Sequence, residues 1–337
     1  MINIGIVGAS GYTARELLLI LQRHPHVNVV RGTSRQLNAT PLAESHPGLA
    51  KWRELSFESF DVDDFVDAGV QCAFTCLPHA ASAEIVKQLL QHDIKVVDFS
   101  ADYRLNDVST FENWYQAKHP DPDRVGSIPY GLPELFREKI KSANLVANPG
   151  CFPTSAILPL APPLQDGLIE TDNIIVDSKS GVSGAGRNPK PNLHYPEANE
   201  SVAAYSIGTH RHAPEIEHLL KRSTNKDANI TFTPHLIPMN RGILSTIYLQ
   251  PAGEANIDTI TESIASHYRD EPFIRLRDTP PRTSDVTHTN FCDIHVAKNR
   301  DNVILVSAID NLVKGASGAA VQNFNLMFDF PETMGLV

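Results

Sequence analysis

The sequence predicts an α/β chain, with a Rossmann-type doubly wound parallel sheet joined to an α+β domain built on a mostly antiparallel sheet. Three observations carry this reading. Strand-like apolar runs alternate with helix-like segments through residue 147, as in a parallel sheet covered on both faces. The first run, residues 2–7, passes directly into a glycine turn and a stretch of strong helix formers. Beyond residue 151 the texture changes to long β-rich runs with few helical segments between them.

In the first part, strands are expected at 2–7, 26–31, 70–77, 94–99 and 144–147, with a helix near 80–92. The turn after the first strand is Gly8-Ala9-Ser10-Gly11-Tyr12-Thr13-Ala14. Strand, glycine turn and helix in that order form the phosphate-binding element of a dinucleotide fold. Gly8 permits the tight turn, Gly11 lets backbone approach a pyrophosphate, and Ala14 keeps helix and strand close. The spacing is Gly-x-x-Gly-x-x-Ala rather than Gly-x-Gly-x-x-Gly. The second strand ends in Arg31-Gly32-Thr33-Ser34-Arg35, with no carboxylate for a ribose 2′-hydroxyl. Ser34 and Arg35 instead offer a hydroxyl and a guanidinium suited to a 2′-phosphate, which favours NADP over NAD. The competing reading of Arg35 is an ordinary solvated arginine.

At the end of the first part, Leu145-Val146-Ala147 leads into Asn148-Pro149-Gly150-Cys151-Phe152-Pro153-Thr154. A helix is expected to open at Pro153, where a missing N–H costs nothing. A thiol on that turn faces backbone N–H groups and the positive end of the helix dipole, both of which favour thiolate. Cys151 is therefore a candidate nucleophile, against the alternative of a buried structural cysteine. Cys72 and Cys76 lie in a strand-like run and read as core packing, since a zinc site would need a second pair.

In the second part, strands are expected at 174–180, 229–236, 242–249, 291–296 and 303–309, followed by a small-residue helix over 315–327 that returns to the first domain. The loop from 180 to 212 carries more chemistry. Ser180 to Arg187 combines three glycines with hydroxyls and an arginine, a good anion pocket or simply a flexible turn. His210-Arg211-His212 precedes a helix-like segment. A metal would need a third ligand that no motif supplies, so no metal is expected, and a histidine acting as acid–base partner to Cys151 is more economical. His212, at the helix start, is the choice for that role. His210 would alternate away from it if the segment were extended, and is assigned to substrate binding.

A chain of 337 residues suits two domains, and a net charge of −10 without basic runs argues against nucleic acid or anionic membranes as partners. No apolar stretch reaches membrane-spanning length and no leader pattern is evident, so a cytoplasmic location is expected, in keeping with four sparse cysteines.

Together, Gly8 to Thr13, Ser100-Ala101-Asp102-Tyr103-Arg104-Leu105, Asn148 to Thr154, His210 to Ile216 and Asp310-Asn311-Leu312-Val313-Lys314-Gly315-Ala316 resemble the N-acetyl-γ-glutamyl-phosphate reductases of arginine biosynthesis, in the semialdehyde dehydrogenase family. The match runs from the first strand to the last helix. Ala14 stands where that family often has glycine and Phe152 where it often has tyrosine; neither change removes a reacting group.

The resemblance implies an oxidoreductase that attacks an acyl phosphate through Cys151 and reduces the resulting thioester with NADPH. It implies a nucleotide-binding domain at 1–147 with 312–337, and a catalytic and dimerisation domain at 148–311. It places Arg104 on a substrate anion, phosphate or carboxylate, with Ser183, Gly184 and Arg187 also touching substrate. Cofactor contacts are implied at Gly8, Ser10, Gly11, Tyr12, Thr13, Ser34, Arg35, Leu77, Pro78, Asn311, Lys314 and Gly315, with a surface lysine as the alternative for Lys314. A homodimer or homotetramer and a small-molecule substrate follow from the same resemblance. Aspartyl phosphate and carrier-bound aminoadipyl or glutamyl phosphate are the alternative substrates.

Overall fold

The computed structural model describes residues 1–337, which divide into two units: Met1–Pro149 with Ala316–Val337, and Gly150–Gly315. The first runs through β1 (Ile2–Val7), α1 (Tyr12–Leu21), β2 (Val27–Gly32), α2 (Leu42–Ser45), α3 (Val62–Asp67), β3 (Cys72–Thr75), α4 (Ala83–Gln91), β4 (Lys95–Asp98), α5 (Val108–Tyr115), α6 (Pro133–Lys141) and β5 (Leu145–Ala147). Its five strands are all parallel, in the order β2-β1-β3-β4-β5. The order reverses direction between β1 and β3, so the crevice for a ligand lies beyond their carboxyl ends. Every residue of β3 is buried, as a strand covered on both faces requires. That strand ends at Thr75, two residues short of the expected 77, which leaves Leu77 and Pro78 in the loop at the crevice.

The second unit contains α7 (Cys151–Gln165), β6 (Ile174–Ser180), α8 (Tyr195–Ala198), β7 (Ala203–Ala204), α9 (His212–Thr224), β8 (Ile230–Leu236), β9 (Ile243–Leu249), α10 (Ile257–His267), β10 (Ile274–Leu276), β11 (Cys292–Asn299) and β12 (Asn302–Ile309). The chain then returns to the first unit as α11 (Gly318–Met327), which packs on α1 and α6. The seven-stranded sheet has the order β10-β11-β12-β9-β6-β8-β7, antiparallel except at β10/β11 and β6/β8. Burial alternates along β6 and β9: Ile174, Val176, Ser178, Ile243, Ser245 and Ile247 face the layer of α7, α9 and α10. Ile175 and Tyr248, paired across the ladder, are exposed on the other face. Helix α10 falls where the sequence texture predicts little helix; its capping box, Asn256 with Thr259, is the local signal for it.

Candidate active site

Helix α7 begins at Cys151, two residues earlier than Pro153 leads one to expect, with Gly150 extended at the N-cap (φ −72, ψ 149). The first helical residue is thus the cysteine itself. The N-cap residue contributes no capping side chain and no acidic residue sits in the helix's own first turn, so the helix dipole favours thiolate at the half-buried thiol. Cys72 and Cys76 differ sharply: burial pushes both thiols well above the ordinary range and keeps them protonated. Gly315 lies against Cys151, since a Cβ there would stand 2.8 Å from the Cys151 Cβ. Tyr205 packs edge-on against His210 with ring centres 5.5 Å apart, its phenol pushed up by burial and by Cys151.

The two histidines do not alternate along a strand. Residues 207–209 form a turn, Arg211 is helical (φ −61, ψ −18), and α9 starts at His212, so both rings fold to the same side. The rings lie 4.9 Å apart and each makes an edge contact with Phe152, at 5.6 Å for His210 and 5.8 Å for His212. The His210 Nδ1 accepts the His212 backbone N–H at 3.1 Å, serving as a cap for α9. Burial, with Arg211 adding to it, holds the His210 pKa down to about 4, so this ring is neutral near pH 7. Glu215, only 1% exposed, has no role in the reading from sequence. Its Oε1 accepts the Gly150 N–H at 3.0 Å and its Oε2 lies 4.0 Å from the His212 Nε2. One buried carboxylate therefore ties the cysteine turn to the histidine helix. The available signal was the i, i+3 spacing of His212 and Glu215 in a first helical turn.

The glycine-rich loop at 181–187 forms a short 3₁₀ turn over Val182–Ala185. Ser183 is buried and its hydroxyl accepts from the Asn311 amide at 3.0 Å, while the Asn311 Oδ1 accepts the Gly242 N–H at 2.8 Å. Asn311 thus ties this loop to the residue that precedes β9. Asp310, also buried, receives Arg241 Nη2 at 3.1 Å and the His288 N–H at 2.7 Å. Gly184 and Arg187 are exposed. Lys314 is completely buried with its ammonium 5.6 Å from the Phe273 ring, which overturns the surface-lysine alternative.

In the first unit, Val7, Gly8, Thr33, Ser34, Arg35, Ser59, Phe60, Leu77 and Ile85 line a cleft at the carboxyl ends of β1 and β3. Gly8 has φ +82, and a Cβ there would come within 2.6 Å of the Cys76 carbonyl oxygen, so glycine is required. A Cβ at Gly11 would meet nothing within 4 Å, leaving open space above the α1 N-terminus. That terminus has no side-chain cap and no acidic residue, and Tyr12 and Thr13 begin the helix. The Ser34 hydroxyl donates to Ser10 Oγ at 3.1 Å and accepts the Gln36 and Leu37 N–H groups, so it joins the glycine turn to the end of β2. Arg35 is exposed at the cleft rim. Leu77 and Pro78 precede Ala80, which adopts φ 61 and donates its N–H to Asp102 at 2.7 Å. Asp102 also accepts from Ser82 and Ala83, which holds this loop rigid.

Arg104 is 4% exposed. Its Nε donates to the Asn148 carbonyl at 2.8 Å and its Nη2 to the Phe99 carbonyl at 2.6 Å. The guanidinium thus braces the turn leading to Cys151. No three metal-ligating side chains cluster anywhere in the chain.

Residues 3–143 match the semialdehyde dehydrogenase NAD binding domain, and residues 151–311 match the semialdehyde dehydrogenase dimerisation domain. The N-acetyl-gamma-glutamyl-phosphate reductase of Rhodopirellula baltica is 50% identical over 341 aligned positions, covering 100% of this chain and 98% of that one. That of Desulforudis audaxviator is 46% identical with the same coverage. Among solved structures, aspartate semialdehyde dehydrogenase II from Vibrio cholerae, complexed with ASA, aligns over 98% of both chains with a TM-score of 0.74 at 18% identity. The Candida albicans aspartate semialdehyde dehydrogenase with NADP aligns over 97% of this chain and 98% of its own, at a TM-score of 0.71 and 13% identity. These two likenesses concern the fold.

Proposed function

We propose, because this chain belongs to the semialdehyde dehydrogenase family and to its N-acetyl-gamma-glutamyl-phosphate reductases, that it reduces N-acetyl-γ-glutamyl phosphate to N-acetylglutamate 5-semialdehyde with NADPH, releasing phosphate in arginine biosynthesis. The observation that carries the reading is Cys151 as the first residue of an uncapped helix, with His212 and Glu215 arranged beside it.

The Cys151 thiolate attacks the acyl carbon, the carbon–oxygen bond to phosphate breaks, and phosphate departs with the electron pair, leaving a thioester on sulfur. His212 takes the thiol proton before attack, protonates the thiohemiacetal oxygen formed on reduction, and takes that proton back as the carbon–sulfur bond breaks to release the semialdehyde and the Cys151 thiolate. His210, neutral and engaged as a cap, fixes where His212 begins the helix. Glu215 orients both partners, and Arg104 acts as a positioning residue for the cysteine turn. Ser183, Gly184 and Arg187 form the substrate side, with Asn311 holding their loop.

The first-unit cleft fits a dinucleotide: Gly8 and Gly11 keep the turn free of side chains, and the α1 N-terminus with Ser10, Tyr12 and Thr13 would hold the pyrophosphate. Ser34 and Arg35 would hold a 2′-phosphate, with Leu77 and Pro78 on the nicotinamide side. NADPH supplies the hydride that reduces the thioester. We place Lys314 and Gly315 near the reacting groups, Gly315 by its contact with Cys151.

The bare sheet face around Ile175 and Tyr248 supports a homodimer or homotetramer, since an exposed apolar pair on a sheet calls for a cover. No helix is long and apolar enough to cross a membrane, and the likeness to biosynthetic enzymes supports a cytoplasmic location. The direct test runs the reaction backwards: NADPH formation from N-acetylglutamate semialdehyde and phosphate, with aspartate semialdehyde as control. Preference for the first substrate is expected; turnover of aspartate semialdehyde alone would reassign the substrate.

A further inference from the structure

Helix α7 carries three internal prolines, Pro159, Pro162 and Pro163. A proline has no N–H, so each withdraws the donor from the carbonyl four residues earlier. Pro159 and Pro162 thus leave the Ser155 and Leu158 carbonyls without their helical partners, and both residues are buried. Side chains from elsewhere in the unit fill these vacancies. Ser307 Oγ on β12 donates to the Ser155 carbonyl at 2.6 Å, and the Tyr268 hydroxyl donates to the Leu158 carbonyl at 2.7 Å.

A second connection runs beside the first. Ser178, Ser245 and Ser307 occupy one rung across β6, β9 and β12, and all three are fully buried. Ser245 Oγ lies 2.8 Å from Ser155 Oγ and 2.7 Å from Ser178 Oγ. Ser155 Oγ spends its one proton on the Phe152 carbonyl at 2.9 Å. It must therefore accept from Ser245, which must accept from Ser178, because each hydroxyl has a single proton to give. The chain of donors runs one way, from the sheet to the first turn of α7. Ser155 lies four residues after Cys151, on the same side of the helix.

We propose that Ser307, Ser245 and Tyr268 are positioning residues for Cys151. The prolines open the carbonyls of α7 to the outside, and these hydroxyls hold the helix at one rotation and one depth over the sheet. The aim of its N-terminal turn is thereby fixed. This rests on the reading of Cys151 as the nucleophile.

The test compares Pro159→Ala with Pro159→Ala/Ser307→Ala. The Pro159→Ala change restores a backbone N–H to face the Ser155 carbonyl, so neither variant leaves that group unbonded, and they differ only in the Ser307 tether. We expect similar melting temperatures and similar KM for NADPH. We expect the double variant to lose about tenfold or more in kcat and in the rate of iodoacetamide labelling at Cys151, since small misplacements of reacting groups are costly. Equal kcat and equal labelling in the two variants would overturn the proposal, reducing Ser307 to a partner for a spare carbonyl. Failure of the nucleophile reading is seen separately, as turnover by Cys151→Ser.

Discussion

Gly315→Ala tests whether the last loop of the second unit serves the cysteine or the cofactor. The new Cβ would stand 2.8 Å from the Cys151 Cβ, 3.2 Å from its Cα and 3.3 Å from Ile309 Cδ1. Ordinary contact begins near 3.4 Å, so Cys151 and residue 315 must separate by 3.4 − 2.8 = 0.6 Å. Neither contacting Cys151 atom is the free end of a flexible side chain, so the backbone of the α7 N-terminus has to give. If the strain stays in place, overpacking costs about 1–3 kcal/mol of stability. If it is relieved by moving Cys151, a displacement approaching 1 Å lowers turnover by up to about 100-fold. The assay follows kcat, iodoacetamide labelling of Cys151 and NADPH affinity by fluorescence titration, alongside a melting curve. We expect kcat and labelling to fall together while NADPH affinity changes little. Unchanged labelling with a large loss of NADPH affinity would refute this reasoning and return Gly315 to the cofactor.

Arg35→Ala should weaken NADPH far more than NADH in equilibrium titrations, because a charge-assisted bond to the 2′-phosphate contributes about 1.5–3 kcal/mol, or about ten- to more than a hundredfold; equal losses would make Arg35 a support for the loop. His212→Asn should cut kcat by two or more orders of magnitude, about the range of general acid–base catalysis, whereas His210→Asn, which can still accept the residue 212 N–H, should keep kcat within several-fold; the reverse order in steady-state kinetics would exchange the two roles. The His210 pKa is lowered from 6.5 to about 4, so the unfolded chain binds a proton there that the folded chain refuses. Its stability contribution is complete above pH 6.5 and is lost as pH falls toward 4; His210→Asn should flatten that part of a denaturation-versus-pH curve.

The parallel sheet was legible because its central strand is buried on both faces and therefore reads as an unbroken apolar run, Cys72–Thr75. The glycine turn was legible for a similar reason: Gly8 at φ +82 has no substitute. Contacts between distant residues were not. The bracing role of Arg104 was hidden because an arginine in a loop carries no sign that Asn148, 44 residues on, presents its carbonyl. The histidines looked like alternating strand residues because nothing in His210-Arg211-His212 announces the turn that brings both rings to Phe152. Helix α7 extends six residues past Pro159, against local propensity, because donors on β12 and on Tyr268 complete its carbonyls. Glu215 was hidden as an ordinary first-turn acid, and only tertiary structure sets it against Gly150.

The thioester on Cys151 is the central claim, and trapping it is the most direct measurement. The enzyme is mixed with N-acetyl-γ-glutamyl phosphate in the absence of NADPH, quenched in acid and digested for mass spectrometry. We predict an N-acetylglutamyl adduct on the peptide containing Cys151, released by hydroxylamine and absent from Cys151→Ser. An unmodified Cys151 peptide, together with phosphate release that persists in Cys151→Ser, would contradict the account.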